Sequence, residues 1–311
     1  MRWIEDAWGR TDLPSPVVAT VGNYDGVHVG QRAILSRVVA RADAEGLPAA
    51  VVTFEPHPLR VLRPDEAPRR ISTAEQKREL LEDAGIDVVA VVRFDETLAC
   101  RTPEEFVDGL LVEGLGVREL YVGSRFVFGR DRSGDVEALR RLGATRGFEA
   151  HGVEEVDLAG EPVSSTRIRQ ALERGEVATA RRLLGRPFDI LGTIVPGDDR
   201  GAALGWPTIN LATENELLPA NGVYTTTVRF AASGAEHAGV TNVGVRPTFG
   251  GSATRPVVES HILDFNENVY GERVRIAFLE RQRAEETFSS AQALSRQIGL
   301  DVAAARRYFS D

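Results

Sequence analysis

The chain has 311 residues and a formal net charge of −9 at pH 7, with 37 Lys and Arg against 46 Asp and Glu. That length predicts two domains, each able to bury a core, and the acidic balance excludes a nucleic-acid partner, whose phosphate backbone needs a basic face. One cysteine, Cys100, excludes an internal disulfide framework and a cysteine metal cluster. No stretch approaches the ~20 apolar residues of a membrane span and the start MRWIEDAWGR has no apolar leader, so the sequence reads as a cytoplasmic protein with no membrane partner.

The first element is an apolar strand at Val17–Ala19, followed by TVGNYDGVHVGQR over 20–32 and a helix carrying Ile34, Leu35, Val38, Val39 and Ala42. Gly22, Gly26 and Gly30 let backbone approach a ligand, and the helix start offers N–H groups and a positive dipole end to an anion beside His28. The spacing is neither the dinucleotide fingerprint nor a P-loop. A valine-rich strand over 49–54 then runs into Glu55-Pro56-His57-Pro58, where two prolines stop it. Ser72 and Glu75 predict a capping box for a helix that stops at Gly85, Val88–Val92 is the next strand, and Thr102, Pro103 and Glu105 open another helix before the strand Glu119–Val122. Strands and helices in turn imply a parallel sheet covered on both faces, with ligands at the carboxyl ends of its strands. The loops 22–31, 54–58 and 123–134 should therefore converge, the last bringing Arg125, Arg130 and Arg132. Ser164, Ser165 and Thr166 open a helix with Arg167 in its first turn. Each loop alone reads equally as a cap on a solvated face; together they predict a nucleoside triphosphate site.

Helix 177–184 ends at Gly185-Arg186-Pro187, and beyond it the segments become short and β-like, at 190–195, 223–230, 240–243, 257–263 and 274–278. Val274, Ile276 and Phe278 alternate with the period of a half-buried strand. The expectation is a first domain over 1–185, a doubly wound α/β fold, and a second over 186–311, a small antiparallel sandwich or barrel closed by a helix from Ser290 to Phe309. In an extended segment Thr208 and Asn210 point to one side, as a neutral oxygen pair for Mg²⁺ requires; the competing reading is a turn with satisfied polar groups. Glu259 lies inside an apolar strand, either as an edge-strand charge or as a general base for phosphoryl transfer from ATP. Gly197 belongs to a glycine-containing loop, 197–201, suited to cover phosphates.

With these residues in view the whole chain resembles the prokaryotic bifunctional riboflavin kinase/FMN adenylyltransferase (FAD synthetase) family. In the second half the resemblance is carried by Gly205–Asn210, by 218–224 (LPANGVY), by 239–249 (GVTNVGVRPTF), by Val258-Glu259 with 263–265 and Tyr270-Gly271, and by Phe278, Arg283 and Phe288. It implies a flavokinase barrel in which Thr208 and Asn210 hold Mg²⁺-ATP and Glu259 activates the ribityl hydroxyl of riboflavin, with Gly197 and Arg283 among the binding residues. In the first half the carriers are Gly22–Gly30, 53–58 (TFEPHP), Phe126–Gly134 and Ser164–Arg169, the first resembling the His-x-Gly-His signature of nucleotidyltransferases. They imply in-line attack of the FMN phosphate on ATP, assisted by His28, Arg167 and Mg²⁺, with Gly22, Asn23, Asp25, Gly26, Gly30, Gln31, His57, Arg125, Ser165 and Thr166 around the ligands. Two positions depart from the family pattern. Gln31 stands at the second histidine, and Arg125 at a position usually asparagine or aspartate. A neutral hydrogen bond contributes ~1 kcal/mol against ~1.5–3 for a charged one, so either Arg125 restores the lost charge or the chain is a riboflavin kinase whose first domain has lost or changed nucleotidyl transfer. The sequence leaves the oligomeric state open.

Overall fold

The computed structural model describes residues 1–197, 201, 204–247 and 254–310. They form two compact units, one of Met1–Arg69 with Ala74–Ser164 and one of Arg70–Thr73 with Ser165–Asp311.

The first unit is built on β1 (Arg2–Ile4), β2 (Val17–Val21), β3 (Ala49–Glu55), β4 (Val88–Arg93), β5 (Val117–Gly123) and β6 (Glu149–Val153), all parallel, in the order β1-β4-β3-β2-β5-β6. Every residue of β2, and the first five of β3 and β4, are buried, the continuous apolar run expected where helices cover both faces. The chain steps outward from β2 through β3 and β4 in one direction, then crosses to β5 and β6 in the other. The topological switch therefore falls between β2 and β5, whose exit loops are 22–28 and 123–134. Helix α1 (Val29–Glu45) packs its buried Leu35, Val38 and Ala42 toward the sheet and ends at Gly46, at φ 65°, whose N–H bonds Ala42 and Asp43 carbonyls. Helix α2 (Ala74–Asp83) starts two residues beyond Ser72. The capping box of Thr102 and Glu105 forms as expected, on a short helix, 103–106, that continues as a π-helix over 107–112. Helix α3 (Val136–Arg146) precedes β6. The sequence reading missed β1, a three-residue edge strand, and β6, whose buried Ala150 and Val153 are separated by a half-buried histidine and glycine.

The second unit opens with α4 (Ser165–Glu173) and α5 (Val177–Leu184), so these helices group with the barrel rather than with residues preceding 165. The barrel is closed and antiparallel: β7 (Phe188–Val195), β8 (Ile209–Thr213), β9 (Gly222–Phe230), β10 (Glu236–Pro247), β11 (Thr254–Ile262) and β12 (Arg273–Arg283), in the order β7-β8-β11-β10-β9-β12. Its interior holds Ile190, Val228, Val274 and Ile276, with Tyr224 edge-on to Phe278 at 5.3 Å and Phe188 stacked on it at 6.1 Å. The buried hydroxyls of Thr226, Thr241 and Ser260 satisfy one another at 2.7 and 2.9 Å, which removes most of the penalty of placing them in a core. Helix α6 (Ala291–Ser310) lies against the outer face of β9 and β10 through Ile298, Val302 and Ala305.

Candidate functional site

In the first unit the turn from β2 into α1 is held by short-range bonds. The Tyr24 hydroxyl meets Thr20 Oγ1 at 2.6 Å, fully buried, and burial pushes its pKa far up, so it remains a neutral structural contact. Tyr24, Gly26 and Val27 all have positive φ, at 48°, 88° and 40°. For a β-branched residue such as Val27 this is a strained conformation that the surrounding bonds must maintain. A Cβ on Gly22 would stand 3.1 Å from the Tyr24 ring. Asp25 is buried in the same turn.

His28 is the N-cap of α1, and it forms a reciprocal capping box with Gln31: Gln31 N–H donates to His28 Nδ1 at 3.2 Å, and His28 N–H donates to Gln31 Oε1 at 3.1 Å. Because Nδ1 accepts, the imidazole proton lies on Nε2, and His28 is a neutral donor through its far nitrogen. Gln31 is accordingly a partner of His28 through its oxygen and presents a donor only through Nε2. A Cβ on Gly30 would come within 3.3 Å of the His28 ring, so the glycine gives the imidazole its place over the helix start.

The other loops contribute in different ways. His57 caps the short helix 58–62, accepting from Leu59 N–H through Nδ1, while its Nε2 faces the Asn23 amide at 3.1 Å. Thr53 Oγ1 donates to Asn23 carbonyl at 3.2 Å, tying the end of β3 to the glycine turn. Arg125 is exposed and pairs with Glu155 at 2.9 Å. Beneath that loop lies an aromatic wall that sequence reasoning did not assemble: Phe126 stacks on Phe128 at 5.6 Å, Phe128 meets Phe106 at 5.7 Å, and Phe106 meets Phe54 at 6.3 Å. Phe54 and Phe126 are partly exposed. Ser165, Thr166 and Arg167 occupy the first turn of α4, in the second unit.

The barrel contains a cavity of about 440 Å³ between the outer face of β8, β11, β10 and β9 and helix α6. Register defines its floor. Val223 is paired with Asn242, Asn242 with Glu259, and Glu259 with Asn210, so these four side chains form one row across four strands and all line the cavity. At the β9 end the walls carry Val223, Val240, Leu294 and Ile298 together with Arg283, Glu285 and Asp301; at the β8 end they are Asn210 and Thr208. Arg283 donates to Asp301 from Nε at 3.0 Å and from a terminal nitrogen at 2.8 Å, with Phe288 under its guanidinium at 5.6 Å. This buried pair fixes the wall between β12 and α6, so Arg283 shapes the cavity with its charge already matched. Trp206 donates to Ser295 Oγ at 3.1 Å and meets His261 edge-on at 5.5 Å, closing the rim. Asn242, Trp206 and Asp301 were not singled out from sequence; for Asn242 the signal was present, an amide one strand period from Val240 and Gly244.

A second cavity of about 370 Å³ is lined by Ile194, Ser260, Phe265 and Tyr270, and Thr208 stands in the wall of both. A Cβ on Gly197 would fall 2.0 Å from Asn210 Nδ2, and one on Gly201 2.4 Å from the Trp206 carbonyl and 3.2 Å from Thr208 Oγ1. Only glycines fit so close to the Thr208 and Asn210 pair; Asp198, Asp199 and Arg200 between them, like Thr248 and Phe249, lie outside the described residues. A hydroxyl and an amide oxygen on one face suit Mg²⁺, a hard cation that takes its remaining ligands from phosphate and water. No cluster of three or more His, Cys, Asp or Glu side chains among the described residues forms a cage able to hold a metal on its own.

A switch-point crevice with a histidine-capped helix, joined to a barrel with a bipartite cavity, defines a nucleotide-using transferase with two catalytic units. Residues 11–167 match the family model for FAD synthetase, and residues 184–309 match that for riboflavin kinase. The chain is 42% identical to the bifunctional riboflavin kinase/FMN adenylyltransferase of Pseudomonas fluorescens over 93% of its own length and 92% of the relative's, and 38% identical to that of Escherichia coli K12 over 94% and 92%. That of Bacillus subtilis is 35% identical over 94% and 93%. A crystal structure of a Streptococcus pneumoniae protein described as a macrolide-efflux protein shares the fold, with a TM-score of 0.88 and 28% identity over 98% of this chain and 99% of that one. The chain belongs to the bifunctional riboflavin kinase/FMN adenylyltransferase family.

Proposed function

We propose that the chain phosphorylates riboflavin to FMN with ATP in residues 186–311, and adenylylates FMN to FAD with a second ATP in residues 1–185. The observation that carries the kinase reading is the row Val223, Asn242, Glu259, Asn210, which grades from apolar to polar along one cavity and ends at Thr208, in the wall of the next. A flavin ring matches the apolar end, its ribityl chain the amide and carboxylate end, and the nucleotide the second cavity. Glu259 accepts the proton of the terminal ribityl hydroxyl as its oxygen bonds to the γ-phosphorus, and the bond from that phosphorus to the β-bridging oxygen breaks to release ADP. Thr208 and Asn210 would hold Mg²⁺, which supplies charge neutralisation to the β- and γ-phosphates when bound.

In the first unit the FMN phosphate oxygen attacks the α-phosphorus of ATP, the α–β bridge breaks, and pyrophosphate leaves, with no proton transfer to the protein required. His28 donates from Nε2 to phosphate oxygen, and N–H groups of the first turn of α1 add to it. Phe54 and Phe126 offer their partly exposed faces to the flavin ring. The test is to incubate the protein with riboflavin, ATP and Mg²⁺, and separately with FMN, ATP and Mg²⁺, and separate the flavins. FMN and FAD in the first reaction and FAD in the second are expected; absence of FMN overturns the kinase assignment, and absence of FAD the adenylyltransferase assignment.

A further inference from the structure

Arg32 lies one helical turn beyond His28, and its N–H donates to the His28 carbonyl at 2.9 Å. The two share a face of α1, since residues four apart on a helix are neighbours, and a helical side chain leans back over the preceding turn. Arg32 is also three residues before Leu35, the first fully buried residue of the stripe that faces β2 and β5. It is half-buried, and its Nε is buried with no hydrogen-bond partner among the described residues. Nor does it form an ion pair among them, whereas Arg125 is matched by Glu155. A buried, unpartnered Nε on a half-buried guanidinium calls for an explanation, and a bound anion reaching the group is one that the position allows.

We infer that Arg32 binds the phosphates of the nucleoside triphosphate in the first unit and supplies the cation that Gln31 does not. The position suits it: the turn that carries Arg32 begins at the switch between β2 and β5, beside the Nε2 donor of His28. A guanidinium engages phosphate oxygens through paired N–H groups and stays charged at every working pH. A neutral glutamine at 31, committed to capping His28, is therefore compatible with a site that keeps its positive charge one residue later. The inference rests on the adenylyl-transfer reading for its reaction, but not for its binding.

The test compares the full-length parent with Arg32→Gln, Arg32→Lys and Gln31→His/Arg32→Gln, measuring ATP binding by calorimetry and FAD formation from FMN. In Arg32→Gln, one of two ATP sites weakens about tenfold or more and kcat/KM for FAD formation falls at least as far, while riboflavin phosphorylation keeps its rate. Arg32→Lys retains part of both, and the double variant regains affinity as pH is lowered toward 6. Removing a half-buried cation that has no ion pair among the described residues leaves the thermal midpoint of Arg32→Gln equal to or above that of the parent, which separates loss of binding from loss of fold. A parent that forms no FAD removes the adenylyl-transfer reading alone, and the ATP titration then decides: a weakened site in Arg32→Gln supports the role of Arg32, and two unchanged sites overturn it.

Discussion

Asn210 and Glu259 face each other directly across β8 and β11, on the outer face of the barrel rather than inside it. The proposed base and the proposed metal ligand thus share one cross-strand pair, with Asn242 on the far side of Glu259. Under that proposal, phosphate donor and hydroxyl acceptor meet where a strand ladder sets the spacing.

Replacing Glu259 by Gln keeps the size and hydrogen bonding of that position and removes its basicity. General-base assistance contributes about 10²–10⁴ in rate, so kcat for FMN formation should fall by at least about a hundredfold, with riboflavin affinity nearly unchanged. Steady-state phosphorylation and a fluorescence titration of riboflavin measure the two separately. FAD formation from FMN should keep the parent rate, and a Glu259→Gln variant that phosphorylates at the parent rate would show that the carboxylate is an ordinary strand charge.

Gly197→Ala tests the contact over Asn210. Its methyl would stand 2.0 Å from the Asn210 amide nitrogen, so one of the two must move. The KM for Mg²⁺-ATP in the kinase reaction should rise about tenfold, corresponding to roughly 1.4 kcal/mol of lost binding. Riboflavin affinity serves as the internal control. An unchanged KM would mean that the glycine loop accommodates the methyl without disturbing the nucleotide.

Much of this arrangement was legible in the sequence, for identifiable reasons. Buried parallel strands read as continuous apolar runs, so β2, β3 and β4 were visible, whereas β1, of three residues, and β6, interrupted by His151 and Gly152, carried too little periodicity. Glu259 stood out as a lone carboxylate inside an apolar strand, and Thr208 and Asn210 as a hydroxyl and an amide on one side of an extended segment; all three line one cavity. Pairings between distant segments were not legible. Nothing local to Arg125 announces Glu155, nothing in Arg283 announces Asp301, and no preference scale places a histidine at the N-cap of α1. The grouping of α4 and α5 with the barrel likewise depends on tertiary packing.

His28 carries a cap and a proposed donor role that substitutions can separate. His28→Ala removes both the cap and the Nε2 donor, and loss of an N-cap costs about 0.5–2 kcal/mol. His28→Asn keeps a capping oxygen but is too short to present the distal donor. Both variants should lose FAD formation by tenfold or more, while thermal unfolding distinguishes them: the midpoint falls in His28→Ala and stays near the parent in His28→Asn. Equal activity in His28→Asn and the parent would confine His28 to capping.

Glu119 offers a test of stability against pH. From β5 it accepts from Arg41 Nε of α1 at 2.6 Å and from the Tyr121 hydroxyl at 2.8 Å, with His151 of β6 stacked on Tyr121 at 4.6 Å. Burial pushes the Glu119 carboxyl up, but the hydrogen bonds from Tyr121 and Arg41 outweigh it and hold it below its ordinary value of 4.5. Burial and the Glu119 carboxylate push the Tyr121 phenol from its ordinary 10.0 up to about 12. A carboxylate depressed in the folded state adds stability that is present above 4.5 and is lost as pH falls through the folded value; a phenol raised in the folded state adds stability that is present below 10.0 and is lost as pH rises toward 12. The network therefore stabilises the first unit between those limits. Arg41 is partly exposed, which screens its share, so Glu119→Gln should cost about 1–2 kcal/mol at neutral pH, visible as a lower thermal midpoint. The gap between parent and Glu119→Gln should close as pH falls through the lowered folded value, because the parent carboxyl is then neutral too. A gap that stays constant from pH 7 to pH 3 would mean that packing around Glu119, rather than its charge, joins α1 to the sheet.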